Sequence, residues 1–209
     1  ISNCVDLVNE HYPDAKLDKF SLSHEEQDAI DIIASTRTMG VFQLESSGMK
    51  RAIRAIQPTC FEDIVALVAL FRPGPLPYIE SYGRRKSGLE KFDYFSDDLK
   101  EILAPTYGII VYQEQIIQIA VKMAGFSLSE ADVFRKAVSK KEVKVLQNQE
   151  EHFISGAQKN GYSLKVSKEV FAMISTFANY GLNKSHSVCY AMIACQMAHL
   201  KAKYPLEFY

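Results

Sequence analysis

The sequence predicts an all-α fold with at most a few short strands. Three observations carry that reading. Apolar residues recur at three-to-four spacing through Val170, Phe171, Ile174, Phe177 and Ala178, and again through Ile193, Met197, Leu200 and Tyr204. That period puts each set on one helix face. Two capping-box signatures occur, Ser23-His-Glu-Glu26 and Ser127-Leu-Ser-Glu130, the pattern that opens a helix. Prolines and glycines then punctuate the chain between periodic stretches, at Pro58, at Arg72-Pro-Gly-Pro75 and at Gly161.

The elements follow in order. Ser23 opens a helix to about Ser35. Gly40 to Glu45 is a short extended candidate. Ser46 or Ser47 then caps a helix with Met49, Ala52, Ile53 and Ile56 inside and Lys50, Arg51 and Arg54 outside, ended by Pro58. Phe61 to Phe71 is apolar nearly all round, as a buried helix would be. Arg72 to Pro77 breaks regular structure, and the basic run Arg84-Arg85-Lys86 leads into a loop through Tyr94. Tyr107 to Tyr112 is a strand or the lead-in to a helix over 113–123. Ser127 opens a helix to about Lys140, and an amphipathic helix runs from Glu142 to Asn160. The last two helices flank the segment Tyr180-Gly-Leu-Asn-Lys-Ser-His-Ser187, where Gly181 and Ser185 supply the end of one helix and the cap of the next.

The chain has 209 residues, 47% hydrophobic and 23% charged, with a net charge of −1. That is globular composition, long enough for a substantial core. No global basic signature exists, so binding of a polyanion must come from local patches. The cysteines Cys4, Cys60, Cys189 and Cys195 form no CxxC pair, which argues against a zinc site or a disulfide framework. Reduced thiols and a cytoplasmic location are expected. The apolar run from Ile64 to Phe71 is too short to span a bilayer.

Four segments carry candidate ligand chemistry. Arg135 and Lys136, with Lys140, Lys141 and Lys144, concentrate cations. Lys136, Lys140 and Lys144 fall at i, i+4 and i+8 and share one helix face, offset locally only by Glu142. A phosphate-rich ligand suits such a face, and so does plain solvent. The segment from Tyr180 to Ser187 offers Lys184 to neutralise a phosphate. Asn183 and Ser185 can donate to it, and Tyr180 can stack on a base. An elaborate turn in which His186 bonds locally explains the same residues. Ser46, Ser47 and Gly48 start a helix whose amides suit an anion, or simply form an N-cap. In Arg72-Pro-Gly-Pro75 the prolines stiffen the turn, Gly74 permits close approach, and Arg72 is presented from it. No Asp-x-Asp occurs, and Glu130 and Asp132, two apart on a helix, serve the capping box and dipole. Several anion sites without a carboxylate cluster imply the binding portion of an enzyme rather than a complete one.

In order along the chain, five strings resemble the C-family bacterial replicative polymerases, the DNA polymerase III alpha subunits. They are Val41-Phe-Gln-Leu-Glu-Ser46 with Gly48-Met49, Phe61 to Pro75, Thr106 to Gln115, Glu130-Ala-Asp132 with Arg135-Lys136-Ala137 and Lys140-Lys141, and Tyr180-Gly-Leu-Asn-Lys-Ser-His186. Several long strings in fixed order are more specific than any single motif.

The resemblance implies a multi-helix fingers domain over 61–209, with 1–60 as a palm-adjacent segment. It implies a DNA-directed DNA polymerase in the full-length parent. There Arg135 and Lys136 contact the triphosphate, Tyr180 and Asn183 neighbour the base, and Ser46 and Gly48 form part of the phosphate cradle. Arg72 braces the metal and triphosphate region. Lys184 and His186 make further nucleotide or template contacts, while Lys140, Lys141 and Lys144 face DNA. The family's third palm acid falls nearest Glu80, where Asp is the expected residue. Magnesium would be held mainly by palm carboxylates beyond this sequence, so the isolated chain is expected not to polymerise. The implied partners are primer-template DNA, a deoxynucleoside triphosphate, the rest of the polymerase and replisome subunits including the sliding clamp, with no membrane. Two alternatives stand beside this reading: a non-catalytic helical module for single-stranded nucleic acid, and a structural adaptor with solvated basic faces.

Overall fold

Helix periodicity dominates the structure as it does the sequence. The computed structural model describes residues 1–140 and 143–209, and among them the chain forms twelve α-helices, one 3-10 turn and no strand. The chain packs as two units, one of 1–71 with 185–209 and the other of 72–184. Helix α4 therefore lies in the same unit as residues 1–60.

The first unit contains α1 (Ser2–His11), α2 (Gln27–Ala34), α3 (Ser47–Ile56), α4 (Phe61–Leu70), α11 (Lys184–Lys203) from Ser185 onward, and α12 (Pro205–Phe208). Helix α4 buries Phe61, Asp63, Ile64, Val65, Ala66, Leu67, Ala69 and Leu70, as an apolar run without a polar stripe must. Its one buried acid, Asp63, accepts from the Thr59 amide (2.9 Å) and hydroxyl (3.2 Å). Met49, Ala52, Ile53 and Ile56 are the buried face of α3, as their spacing predicts. Cys4, Val5, Val8, Leu22 and Leu200 form a cluster against which Tyr204 and Phe208 pack. All four cysteines are free thiols. Burial pushes the Cys195 thiol up to about 12, so it is an inert core group.

Two expectations fail here. The Ser23–Glu26 capping box does not form. Helix α2 starts at Gln27, Glu26 is its N-cap, and the Ser23 hydroxyl accepts instead from the Glu25 amide at 3.4 Å. Gly40 to Glu45 is a pair of turns, not extended, because Gly40 (φ +76°) and Gln43 (φ +66°) are left-handed. The buried Thr38 hydroxyl, donating to the Leu44 carbonyl at 2.6 Å, closes this loop.

The second unit contains α5 (Tyr78–Lys86), α6 (Asp97–Leu103), a 3-10 turn (Ala104–Thr106), α7 (Gln113–Ala124), α8 (Leu128–Ser139), α9 (Val143–Lys159) and α10 (Leu164–Phe177). The basic run Arg84-Arg85-Lys86 forms the last turn of α5, where cations favour the helix dipole. Phe134 stacks on Phe153 (5.5 Å, 17°), with Phe126 edge-on (79°) and Phe171 5.9 Å from Phe153. The Ser127–Glu130 capping box forms as the sequence predicts: Ser127 accepts from the Glu130 amide (3.2 Å) and its own amide donates to the Glu130 carboxylate (2.8 Å).

Tyr107 to Tyr112 is a lead-in to α7, with one parallel bridge from Tyr112 to Leu182. Buried Gln115 organises it. Its carbonyl oxygen accepts from the Val111 (2.8 Å) and Tyr112 (3.0 Å) amides, and its amide donates to Ile102 O (3.2 Å) and the Thr106 hydroxyl (2.7 Å). Those four bonds satisfy an otherwise costly buried turn.

In the first unit the side chain of Glu207, 5% exposed, pairs with His11 Nδ1 at 3.0 Å. That bond is the main reason its carboxyl lies below the ordinary 4.5. A carboxylate whose folded value is depressed stabilises the fold above its unfolded value and loses that contribution as pH falls through the folded one. Glu207→Gln is therefore expected to lower stability at pH 7 and to flatten its fall below pH ~4.5. Urea melts across that range check it, and parallel wild-type and variant curves would refute it.

Candidate functional site

The segment expected to bind an anion at its helix start carries an anion of the protein's own. After α10 ends, the Tyr180 and Gly181 amides both donate to the Phe177 carbonyl (2.8 and 2.9 Å). The Leu182 amide then donates to Val111 O (3.2 Å), and the Gln113 amide donates to Leu182 O (3.0 Å). Helix α11 starts at Lys184, and its first amide lies 3.1 Å from both carboxylate oxygens of Glu114. Ser185 is thus inside the first turn of α11 and is not its cap. The Glu114 carboxylate of α7 accepts from the Lys184 amide within the second unit. The Lys184 ammonium sits 5.6 Å from the centroid of the Tyr112 ring. Tyr112, Glu114, Gln115, Lys122, Glu101 and Lys184 help line a cavity of about 460 Å³. Its two cations face two carboxylates, so it is mixed in charge.

Arg72 and Tyr180, 108 residues apart, meet. The Arg72 guanidinium donates from Nη2 to the Tyr180 carbonyl at 2.6 Å, and burial lowers its pKa. The stiff Arg-Pro-Gly-Pro turn also places Gly74 against the Tyr180 ring. A Cβ there would overlap ring atoms Cδ1 and Cε1. Gly74 is what the sequence predicts, a site of close approach. Tyr78 packs on Phe177 in the same unit, with centroids 4.4 Å apart. Tyr180 is held by its backbone and its ring face together, and Asn183 stays exposed at the end of the segment.

Helix α8 presents the Arg135–Lys136 pair, and Asp132 joins them. Oxygen Oδ1 accepts from Arg135 Nε (3.1 Å) and Nη2 (2.9 Å), while Oδ2 meets the Lys136 ammonium. The Lys136 and Arg135 bonds, in that order, hold the Asp132 carboxyl below its usual range. Asp132 therefore serves these cations, not the dipole of the helix start, which corrects the sequence reading. The side chain of Arg135 is 15% exposed and that of Lys136 62% exposed.

The expected three-lysine face does not exist as one helix face. Helix α8 ends at Ser139 and α9 begins at Val143, so Lys144 belongs to a different helix from Lys136. Lys140 is exposed at the end of α8. Lys141, and Glu142 which was to offset it, lie outside the described residues.

In the first unit, Ser46 caps α3 by accepting from the Met49 amide at 3.1 Å. Gly48 faces Phe71, whose Cζ would lie 3.0 Å from an added Cβ. His186 packs at a tilt on Tyr190 (4.3 Å, 31°), and Tyr190 packs on Phe42 (5.3 Å). Glu80 is exposed in the first turn of α5. Among the described residues no three His, Cys, Asp or Glu side chains converge as a metal site. One isolated carboxylate does not fit a magnesium ion, which takes several oxygen ligands in octahedral geometry.

Sequence reasoning missed Asp132, Glu114 and Gln115. The signal for Asp132 was present, since it precedes Arg135 and Lys136 by three and four positions. Glu114 lies 70 residues from Lys184 and left no local signal.

The geometry defines an all-α domain whose candidate ligand groups sit on helix ends and on the turns joining helices. The sequence places it more finely. The profile of the family described as the bacterial DNA polymerase III alpha subunit finger domain matches residues 1–161, and the chain belongs to that family. It is similar to the DNA polymerase III subunit alpha of Halalkalibacterium halodurans, 53% identical over 178 residues, which covers 85% of this chain and 16% of that one. The proteins of the same name from Bacillus subtilis (48% over 193 residues) and Escherichia coli K12 (44% over 199 residues) each cover 92% of this chain and 17% of their own length. The chain thus spans about a sixth of the length of the curated relatives it matches. Among the described residues no helix is long and apolar enough to cross a membrane.

Gly74→Ala is expected to destabilise the second unit by ~1–3 kcal/mol, because the added methyl must displace the Tyr180 ring or the turn. Urea denaturation of the chain with an unchanged m-value checks this, and a midpoint equal to wild type would refute it.

Proposed function

We propose that this chain is the fingers portion of a DNA-directed DNA polymerase of chromosomal replication. The observation that carries the proposal is membership of the fingers family over residues 1–161. In this reading the primer 3′-hydroxyl attacks the α-phosphorus of a deoxynucleoside triphosphate and pyrophosphate leaves. The fingers contribute positioning and charge neutralisation. Arg135 and Lys136 on α8 meet the triphosphate. Tyr180, fixed by Arg72 and Gly74, stands beside the base with Asn183. Lys184 and His186 add nucleotide or template contacts, and Ser46 and Gly48 add helix-start amides. Lys140 and Lys144 face DNA, and residues 1–60 pack toward the palm. Magnesium belongs to palm carboxylates of the parent, since Glu80 alone does not make a site for it.

A non-catalytic module for single-stranded nucleic acid is the second reading. The net charge of −1 speaks against it, since affinity for a polyanion rests on many phosphate contacts. Such a module loses affinity steeply with salt and ignores nucleotides.

Arg135→Ala and Lys184→Ala in the full-length parent test the proposal by single-nucleotide incorporation. Each removes a charge-assisted phosphate contact worth ~1.5–4 kcal/mol, so the nucleotide requirement should rise or the step slow by about ten- to a thousand-fold. Wild-type kinetics in both variants would discredit it. The isolated chain is expected not to extend a primer, and extension by the purified chain would overturn the division of labour between palm and fingers.

A further inference from the structure

We infer that Asp132 is a positioning residue for nucleotide addition: it holds the Arg135 guanidinium and the Lys136 ammonium in the arrangement that receives the triphosphate. The inference rests on the fingers reading and adds to it a residue of opposite sign.

Three observations support it. A single carboxylate takes both cations, Oδ1 accepting from Arg135 Nε and Nη2 and Oδ2 from Lys136. Both contacts run within α8, at three and four residues, so they form without any distant partner. The bonds also use one edge of the guanidinium. Arginine has five N–H donors. Two of them go to Asp132, leaving three without an acceptor among the described residues. Those three include both hydrogens of Nη1, so the other edge of the fork is left for an incoming anion.

An ion pair within one helix whose carboxylate is more than a third exposed is screened by solvent and adds little stability. Its effect here is on geometry. Adjacent cations repel, and a long lysine side chain samples many rotamers, whereas catalysis rewards donors already aimed at the developing charge. A misplacement of about 1 Å can cost about a hundredfold in rate. The carboxylate also subtracts a charge from the cluster, which weakens the pull on a bound triphosphate. Orientation and attraction are thus set against each other, and removing Asp132 should separate them.

The test uses the full-length parent polymerase, single-turnover incorporation of one deoxynucleotide, and Asp132→Asn, Arg135→Ala and the double variant. Asp132→Asn is expected to slow the maximal incorporation rate by about ten- to a hundred-fold. Its apparent nucleotide Kd should stay equal or tighten, and its Tm should be that of wild type. The double variant is expected to lose less than the two single losses combined, because the part of the Asp132 effect that runs through Arg135 is already gone while the part through Lys136 remains. Three results overturn the inference: a wild-type rate in Asp132→Asn while Arg135→Ala is impaired, a weakened Kd with a lowered Tm, or additive rate losses in the double variant. Wild-type kinetics in Arg135→Ala as well would instead sink the fingers reading on which this one stands.

Discussion

The second unit depends on how the chain between α10 and α11 is tied to the start of α7. Two backbone bonds join Leu182 to Val111 and Gln113, and the Glu114 carboxylate takes the first amide of α11. Three bonds across some seventy residues fix where Tyr180, Asn183 and Lys184 stand. The buried Gln115 side chain holds the other partner of that pairing by satisfying the amides of Val111 and Tyr112. Without it those amides would be buried and unpaired, a state that native structures avoid.

Charge in this protein is set out in opposed pairs. Asp132 answers Arg135 and Lys136, Glu90 answers Arg85 at 2.7 Å, and Glu114 accepts from the Lys184 amide. The net charge of −1 reflects 24 Lys and Arg against 25 Asp and Glu, and it leaves room for local cation clusters. A binding surface built this way has cations already oriented when the ligand arrives, and it gives up part of their long-range attraction. Near Tyr180 orientation comes by another route. The ring is set by close packing against a glycine and the backbone by a half-buried guanidinium.

Much of this was legible along the chain. The all-α class, the buried α4, the capping box at Ser127, the Ser46 cap and the close approach at Gly74 all follow from local rules of period, capping and steric volume. The Ser23 box failed because a capping motif states only a preference, and the turn before α2 spends the Ser23 hydroxyl on Glu25. The lysine stripe failed because extrapolating one helical period assumes an unbroken helix, and α8 stops at Ser139. Arg84 to Lys86 gave no sign of a helix because that stretch lacks an apolar stripe, yet α5 buries Ile79, Tyr82 and Gly83.

The sequence alone determined the all-α class, the strongly periodic helices with their buried faces and, through five strings in fixed order, the family. These are encoded by neighbours within a few residues, or by motifs read as linear text. Only the tertiary structure decided the partners: that Glu114 takes the Lys184 amide, that Arg72 binds the carbonyl of Tyr180, and that Gly74 lies under its ring. Each of those contacts joins residues about 70 or more positions apart. No periodicity or capping rule reaches that far, because it is the packing of whole helices that brings such groups within bonding distance.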